Sequence, residues 1–186
     1  LINVPLDMMK DKPQECTKYY SDQVCDAISK LSQRLDWNVI DKVLQAIHDS
    51  DSVAFFGTQF SHSAALHFQT DLLMLEKFTM AYMETERQID CARLMDENSV
   101  AIIVTVNGFY ARSNSKVLQY LKKSKCKVVL MTNNPGIDIG INVNYTIVLG
   151  DSEQRKIGKH TLLTAVELMS LRYYSLYYPG IQEKII

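Results

Sequence analysis

The sequence predicts an α/β fold: a doubly wound, three-layer sandwich around a five-stranded parallel sheet of flavodoxin-like order, preceded by a helix pair. Five short runs of apolar and β-branched residues are continuous rather than alternating, which is typical of parallel strands buried on both faces. The segments between these runs repeat apolar residues at three- and four-residue spacing, which indicates helices. Strands and helices therefore alternate along the chain, as a doubly wound sheet requires.

The length and composition fit one globular domain with an appended segment. The chain has 186 residues, of which 47% are hydrophobic and 22% are charged, and its formal net charge is -1. This balance favours no nucleic-acid partner, so DNA contact would require a basic element that this chain lacks. No apolar run approaches the roughly 18 residues that span a bilayer, and no signal peptide opens the chain.

The cysteines indicate a cytoplasmic protein with reduced thiols. None of them forms a C-x-x-C pair, and their spacing fits no metal site, so we expect neither a metal nor a cofactor. The first residue is Leu1 rather than Met, so we expect a piece of a longer chain whose upstream part is missing.

The N-terminal region is predicted to contain an arm and two helices. Residues 1–15 contain Pro5 and Pro13 without an apolar period, so we expect a linker or irregular arm there and one domain over residues 16–186. Apolar residues between Tyr20 and Leu35 recur at helical spacing and predict the first helix. Asp36 is expected to cap the second helix, whose inner face carries Val39, Ile40, Val43, Leu44 and Ile47.

The sheet and its helices follow from the alternating pattern. The strands are predicted at residues 52–57, 78–83, 99–106, 127–132 and 144–149. The helices are predicted at residues 63–77, 86–95, 110–123 and 159–178. In such sheets, ligands bind beyond the carboxyl ends of the strands, where the strand order reverses. Helices that begin there offer free amides and a positive dipole end, which suit phosphate.

The turn after the first strand is one candidate phosphate site. Gly57 permits a tight turn, while Thr58, Ser61 and Ser63 supply hydroxyl groups. Alternatively, Ser61 or Ser63 only caps the helix that follows.

The turn after the third strand is a second candidate. Asn107-Gly108 is a strong turn pattern, and Thr105 adds a hydroxyl group beside the backbone amides. Arg112 would add a positive charge to a phosphate contact. An ordinary strand-to-helix turn with a surface arginine fits equally well. The polar turn at residues 132–136 would form another wall of the cleft, although its pattern favours a plain loop.

These turns resemble the ligand loops of SIS (sugar isomerase) domains. The first loop of that family reads G-x-G-x-S, whereas this chain reads Gly-Thr-Gln-Phe-Ser over residues 57–61, with Gln59 in place of the second glycine. The helix pair before the sheet makes the chain similar to the effector half of RpiR/MurR-type transcription regulators, over residues 16–179.

The second turn resembles the phosphate loop of the same family, which reads S-x-S-G-x-T. Thr105 keeps a hydroxyl group and Gly108 keeps the turn, whereas Asn107 and Tyr110 replace two small hydroxyl residues. Either the ligand differs from that of the family, or Arg112 compensates, or the site is degenerate.

The resemblance implies a sugar-phosphate-sensing domain of a regulator of carbohydrate metabolism, and not an enzyme. It implies a homodimer or a dimer of dimers, with DNA bound only through an upstream helix-turn-helix domain and no membrane contact. The implied ligand residues are Gly57, Thr58, Gln59, Ser61, Thr105, Asn107, Gly108, Tyr110 and Arg112, with Glu153 at the sugar end. From the sequence alone, a solvated surface residue is the more common role for a glutamate such as Glu153. His160 would reach across a dimer interface, although a lone histidine at such a position is more often structural or solvated.

Two alternatives remain at this point. An aldose–ketose isomerase needs a base with a pKa near neutrality, and Glu153 and His160 are the candidates in the right region. A ligand-free dimerisation module would fit the altered phosphate loop and the tyrosine-rich end of the last helix. Because tyrosine is enriched at interfaces, we expect these side chains to contribute to one: Tyr173, Tyr174, Tyr177 and Tyr178.

Overall fold

A parallel sheet with helices on both faces forms the centre of the structure. The computed structural model describes residues 6–106, 108–150 and 158–178. The strands are β1 (Ser52–Phe56), β2 (Thr79–Ala81), β3 (Ser99–Val104), β4 (Lys127–Thr132) and β5 (Tyr145–Val148). The helices described are α1 (Leu6–Asp11), α2 (Pro13–Arg34), α3 (Trp37–Asp49), α4 (Phe60–Met74), α5 (Thr85–Leu94), α6 (Phe109–Ser113), α7 (Ser115–Ser124) and α8 (Gly158–Tyr177). The strand order β2-β1-β3-β4-β5 confirms the predicted fold class.

The three inner strands β1, β3 and β4 are buried on both faces over nearly their whole length, as their continuous apolar runs predict. All six residues of the central strand β3 are buried. Its successive side chains point to opposite faces. Val100 and Ile102 join a core with α3, α4 and α8, whereas Ala101 and Ile103 join a second core with α5 and α7. Two apolar layers therefore hold the sheet between them, and its carboxyl edge is left for loops.

The predicted cap of the second N-terminal helix is confirmed. Asp36 precedes α3, and its Oδ1 accepts hydrogen bonds from the backbone N of Asn38 (3.0 Å) and Val39 (3.2 Å). These bonds satisfy amides that have no partner within the helix. The buried face of α3 contains the predicted apolar residues Ile40, Val43, Leu44 and Ile47.

The prediction of an irregular arm over residues 1–15 is wrong for the part that the structure describes. Residues 6–11 form α1, and α2 begins at Pro13, so the predicted boundary at residue 16 lies inside a helix. Pro13 occupies the start of α2, where a missing N–H costs nothing and the fixed φ suits the helix. The proline therefore marks a helix start rather than a break.

Two other helices have boundaries that differ from those predicted. The helix predicted at residues 110–123 is divided at Asn114, which is buried at φ -126° and ψ 45° and donates from Nδ2 to the carbonyl of Tyr110 (3.0 Å). Helix α4 begins three residues before the predicted start, at Phe60. None of the described helices is both long and apolar enough to cross a membrane.

The tyrosines at the end of α8 pack within the chain. Tyr173 is 1% exposed, and its hydroxyl lies 3.3 Å from His48 Nδ1. The ring of Tyr177 stacks on His48 at a centroid distance of 3.8 Å, and its hydroxyl donates to Gln45 Oε1 (3.1 Å). Tyr178 donates its hydroxyl to the carbonyl of Leu75. Three of these tyrosines therefore have partners within the chain, and the contribution of the cluster to an interface stays a prediction.

Candidate functional site

A cleft of about 230 Å³ opens at the carboxyl ends of β1 and β3. These neighbouring strands lead to opposite faces of the sheet, because β1 continues into α4 and β3 continues towards α6 and α7. The cleft therefore lies at the topological switch point, where doubly wound sheets bind ligands. It is lined by Thr58, Gln59, Phe60, Ser61, Val104, Thr105, Val106, Phe109 and Tyr110. The structure thus brings together the two turns that the sequence singles out.

The loop after β1 depends on glycine at its first position. A Cβ on Gly57 would lie 2.9 Å from Ser61 Cβ and 3.4 Å from the carbonyl oxygen of Val104, so a larger residue would displace the start of α4. Ser61 donates its backbone N–H to the carbonyl of Thr58 (3.1 Å). Neither Ser61 nor Ser63 is the N-cap residue of α4, because that position is occupied by Gln59. The hydroxyl-bearing residues Thr58 and Ser61 instead line the cleft.

Gln59 adopts a backbone conformation that favours glycine. Its φ is 51° and its ψ is -122°, values that side chains with a Cβ rarely adopt. The position is the one at which this chain departs from the G-x-G-x-S pattern. The position therefore has a backbone conformation that suits the glycine of that pattern, although the residue has changed.

The loop after β3 is fixed by Thr105 and Gly108. Thr105 is buried, its backbone N donates to the carbonyl of Met131 (3.0 Å), and its Oγ1 accepts from the backbone N of Tyr110 (3.4 Å). Gly108 has φ +73°, and a Cβ there would lie 2.0 Å from Ile137 Cδ1, so a larger residue would be strained and would displace the Ile137 side chain. Asn107 lies outside the described residues, and so does Glu153.

Tyr110 connects the cleft to a buried hydrogen-bond network that the sequence did not reveal. Its side chain is 2% exposed, and its hydroxyl donates to Gln88 Oε1. Gln88, itself 1% exposed, donates from Nε2 to the carbonyls of Gly57 (3.0 Å) and Tyr82 (2.7 Å). Burial raises the pKa of Tyr110, so the phenol stays neutral. The single glutamine of α5 thereby holds both cleft loops, and the only clue in the sequence is a polar residue on an apolar helix face.

Comparison with known proteins rests on structure. No protein-family model matches the sequence, and no curated protein is similar to it in sequence. NanR of Vibrio vulnificus, solved in a complex with ManNAc-6P, is similar over 95% of this chain and 69% of that chain, with 14% identity and a TM-score of 0.78. The sugar isomerase domain of an RpiR transcription factor from Sphaerobacter thermophilus has 14% identity over 86% of this chain and 89% of that chain, with a TM-score of 0.72. The chain has the SIS fold.

The same fold occurs in a solved structure that is named as an isomerase and in another that was solved with A5P. The phosphoheptose isomerase GmhA of Neisseria gonorrhoeae is similar over 89% of this chain and 100% of that chain, with 14% identity and a TM-score of 0.74. The protein c3406 of E. coli CFT073, in complex with A5P, covers 87% of this chain and 89% of its own, with 13% identity and a TM-score of 0.74. At these identities the comparisons establish the fold of the chain and nothing further.

Cationic side chains lie at the rim of the SIS cleft. Lys159, in the first turn of α8, places Nζ over the ring of Phe60 at 5.5 Å from its centroid. Arg112 is exposed, and its Nη1 lies 3.3 Å from where a Cβ on Gly108 would be. None of the described residues that line the cleft carries a carboxylate. The local charge therefore favours an anion. Lys159 was not identified from the sequence, because nothing local relates it to the loop after β1.

His160 contacts its own chain rather than an identified partner. Its Nε2 lies 2.7 Å from the hydroxyl of Tyr20, and the two rings pack edge to face. Burial lowers the pKa of His160, so the imidazole is neutral near pH 7. The contact joins the first turn of α8 to α2 and fits a structural role for His160, whereas its contact across a dimer interface stays a prediction.

One group of potential metal ligands occurs among the described residues, outside the cleft. His67, Asp71 and Glu167 place one ligand atom each within 4.8 Å of one another on the outer surface of α4 and α8. His67 Nε2 lies 2.9 Å from Glu167 Oε2, and Asp71 accepts a hydrogen bond from Ser170 Oγ (2.6 Å). These pairings account for the arrangement without an ion. Cys16, Cys25, Cys91 and Cys126 are all free thiols.

Proposed function

We propose that this SIS domain binds a phosphorylated sugar in the cleft and acts as the effector domain of a transcription regulator of carbohydrate metabolism. The observation that carries the proposal is the cleft at the switch point between β1 and β3. It combines hydroxyl side chains, the start of a long helix and two cations at its rim. That combination suits a phosphate group attached to a small polar body.

The phosphate is proposed to lie between the two loops. Helix α4 begins at the cleft, and the first amides of a 15-residue helix lack partners within it and carry the positive end of its dipole. Thr58 and Ser61 supply hydroxyl groups from one side, and Thr105 supplies one from the other. Gly57, Gln59, Gly108 and the backbone of Tyr110 shape the loops, and Asn107 belongs to the same proposed site.

The charged and sugar-binding parts of the site complete the proposal. Arg112 is proposed to contact the phosphate, because its guanidinium lies beside Gly108. Glu153 is proposed to face the sugar. NanR of Vibrio vulnificus in its complex with ManNAc-6P and c3406 in its complex with A5P show that domains of this fold bind phosphorylated sugars. This supports the same ligand class here.

The regulatory role is proposed to depend on a homodimer in the cytoplasm. Exposed leucine and methionine side chains follow the outer faces of the packed helices α4 and α8, which suits a surface covered by a second copy: Leu66, Leu73, Met74, Leu163 and Leu171. A ligand that binds one dimer arrangement more tightly would shift the population of that arrangement. DNA would then be bound through an N-terminal domain upstream of α1.

The signal is proposed to reach α2 through α8. Helix α8 begins beside the cleft, and His160 in its first turn is hydrogen-bonded to Tyr20 in α2. A ligand that moves the first turn of α8 would therefore move α2, the long helix that follows α1 near the start of the chain.

Isothermal titration calorimetry with ManNAc-6P, A5P and inorganic phosphate tests the ligand class. Arg112→Ala should weaken binding of all three, because the guanidinium is proposed to meet the phosphate. Lys122→Ala, which removes one exposed cation from the last turn of α7, is the matched control and should leave binding unchanged. If the wild-type domain binds none of the sugar phosphates, the proposed function is wrong.

An isomerase is the second candidate, because GmhA shares the fold. The reaction requires a base that moves a proton between adjacent carbons. His160 is already hydrogen-bonded to Tyr20, which leaves Glu153 as the base to test. Turnover of A5P that is lost in Glu153→Gln would establish the isomerase, whereas binding without turnover would support the sensor.

A further inference from the structure

The side-chain amide of Asn133 is buried without a hydrogen-bond partner. Asn133 follows β4 and is 1% exposed, and neither its Oδ1 nor its Nδ2 has a partner in the structure as described. An unpaired buried amide loses its bonds to water and gains nothing in return, so such groups are rare in folded proteins. Their presence points to a partner that binds from outside the chain.

Asn133 lies at the same edge of the sheet as the cleft. Its backbone N donates to the carbonyl of Val106 (3.3 Å), a residue that lines the cleft. Gly158, the first residue of α8, faces both side chains, since a Cβ there would lie 3.2 Å from Asn133 Nδ2 and 3.5 Å from Val106 Cγ1. The amide therefore lies beside the start of a 20-residue helix, whose first backbone N–H groups have no partner within the helix.

We propose that Asn133 binds an uncharged hydroxyl group of the ligand, in a subsite between Val106 and the first turn of α8. This inference rests on the proposed phosphosugar ligand and assigns a residue to its carbohydrate part. A carboxamide both donates and accepts, and so does a hydroxyl group. An ionised phosphate only accepts, so it would satisfy Nδ2 but repel Oδ1. The chemistry of Asn133 therefore selects the sugar end of the ligand rather than the phosphate end.

Asn133→Leu separates a ligand-binding role from a structural one. Leucine has a similar shape but no polar atoms, so the ligand-free variant should be more stable to heat than the wild type, because two unpaired polar atoms are removed. The same variant should bind sugar phosphates less tightly. A residue whose amide had an internal partner would behave in the opposite way, because its replacement would lower the thermal stability.

Thr79→Val is the matched control. Thr79 Oγ1 is also buried without a partner, and the residue is 3% exposed, but it lies at the start of β2, on the opposite edge of the sheet from the cleft. Valine has the same shape without the hydroxyl group. This variant should also gain thermal stability, yet it should bind sugar phosphates as the wild type does.

The experiment combines calorimetric titration with thermal unfolding of the ligand-free variants. We expect Asn133→Leu to lose about tenfold in affinity for ManNAc-6P or A5P, the effect of one hydrogen bond, and to keep its affinity for inorganic phosphate. An unchanged sugar-phosphate affinity, an equal loss for inorganic phosphate, or a lower thermal stability would each overturn the inference. A wild-type domain that binds neither sugar phosphate would overturn the proposed function, and this inference with it.

Discussion

Replacing Gln59 by glycine should stabilise the domain, because the present side chain holds the backbone in a conformation that only glycine adopts freely. With φ 51° and ψ -122°, Gln59 lies outside the regions open to residues with a Cβ. Such a residue costs about 1–3 kcal/mol. The side chain is exposed, so its removal sacrifices little buried area.

The expected gain is the strain relieved minus the entropy that glycine adds to the unfolded chain. Glycine loses more conformational entropy on folding than other residues do, which costs roughly 0.5–1 kcal/mol. The net gain is therefore about 1 kcal/mol, which corresponds to a rise of about 3 °C in Tm for a domain of this size. Urea denaturation measures the change in the free energy of unfolding, and differential scanning calorimetry measures the change in Tm.

Two further variants make the test specific. Gln59→Ala keeps a Cβ and should leave the free energy of unfolding unchanged within about 0.5 kcal/mol. Lys125→Gly relieves a milder case, since Lys125 at the end of α7 has φ 60° and ψ 14°, in the ordinary left-handed region. Its gain should be smaller than that of Gln59→Gly. If Gln59→Gly were instead less stable than the wild type, the strained turn would not exist and the reasoning would fail.

Three further predictions concern the Gln88 hydrogen bonds, the cap of α3 and the burial of the thiols. Gln88→Leu should lower the free energy of unfolding by about 2–4 kcal/mol in urea denaturation, because the carbonyls of Gly57 and Tyr82 and the Tyr110 hydroxyl all lose a partner. The double variant with Tyr110→Phe should lose less free energy of unfolding than the sum of the two single variants, because both belong to one hydrogen-bond network. Asp36→Ala should cost about 1 kcal/mol in the same assay, because α3 loses its cap. A thiol reagent at pH 8 should modify the exposed Cys25 quickly and the buried Cys91 only upon unfolding, because burial raises the pKa of Cys91 to about 11. Mass spectrometry counts the modified thiols, and rapid modification of both cysteines in the folded domain would contradict the burial of Cys91.

The fold could be predicted from the sequence because the patterns that determine it are local. The run at residues 99–104 is apolar at every position but the first, and only a strand covered on both faces accommodates such a pattern in a doubly wound chain. The cap at Asp36 is equally local, since the side chain bonds amides two and three residues further along. Pro13 shows the limit, because the same residue can break a helix or begin one.

Only part of the candidate site could be predicted from the sequence. Thr58, Ser61 and Thr105 follow strands, so their place at the carboxyl edge follows from the parallel sheet. Lys159, by contrast, reaches Phe60 from almost a hundred residues away, and Gln88 joins Gly57 to Tyr110 from a different helix. Periodicity and spacing carry no information about such pairings.

The sequence by itself determined the class of the fold, the alternation of its elements and the two turns that meet at the switch point. Only the tertiary structure decided that Gln59 is held in a glycine conformation, that the Tyr110 hydroxyl is bound by Gln88, and that Asn133 is buried without a partner. The physical reason is that secondary structure follows from the pattern of apolar residues along the chain. Backbone strain and the pairing of buried polar atoms depend instead on contacts between segments far apart in sequence.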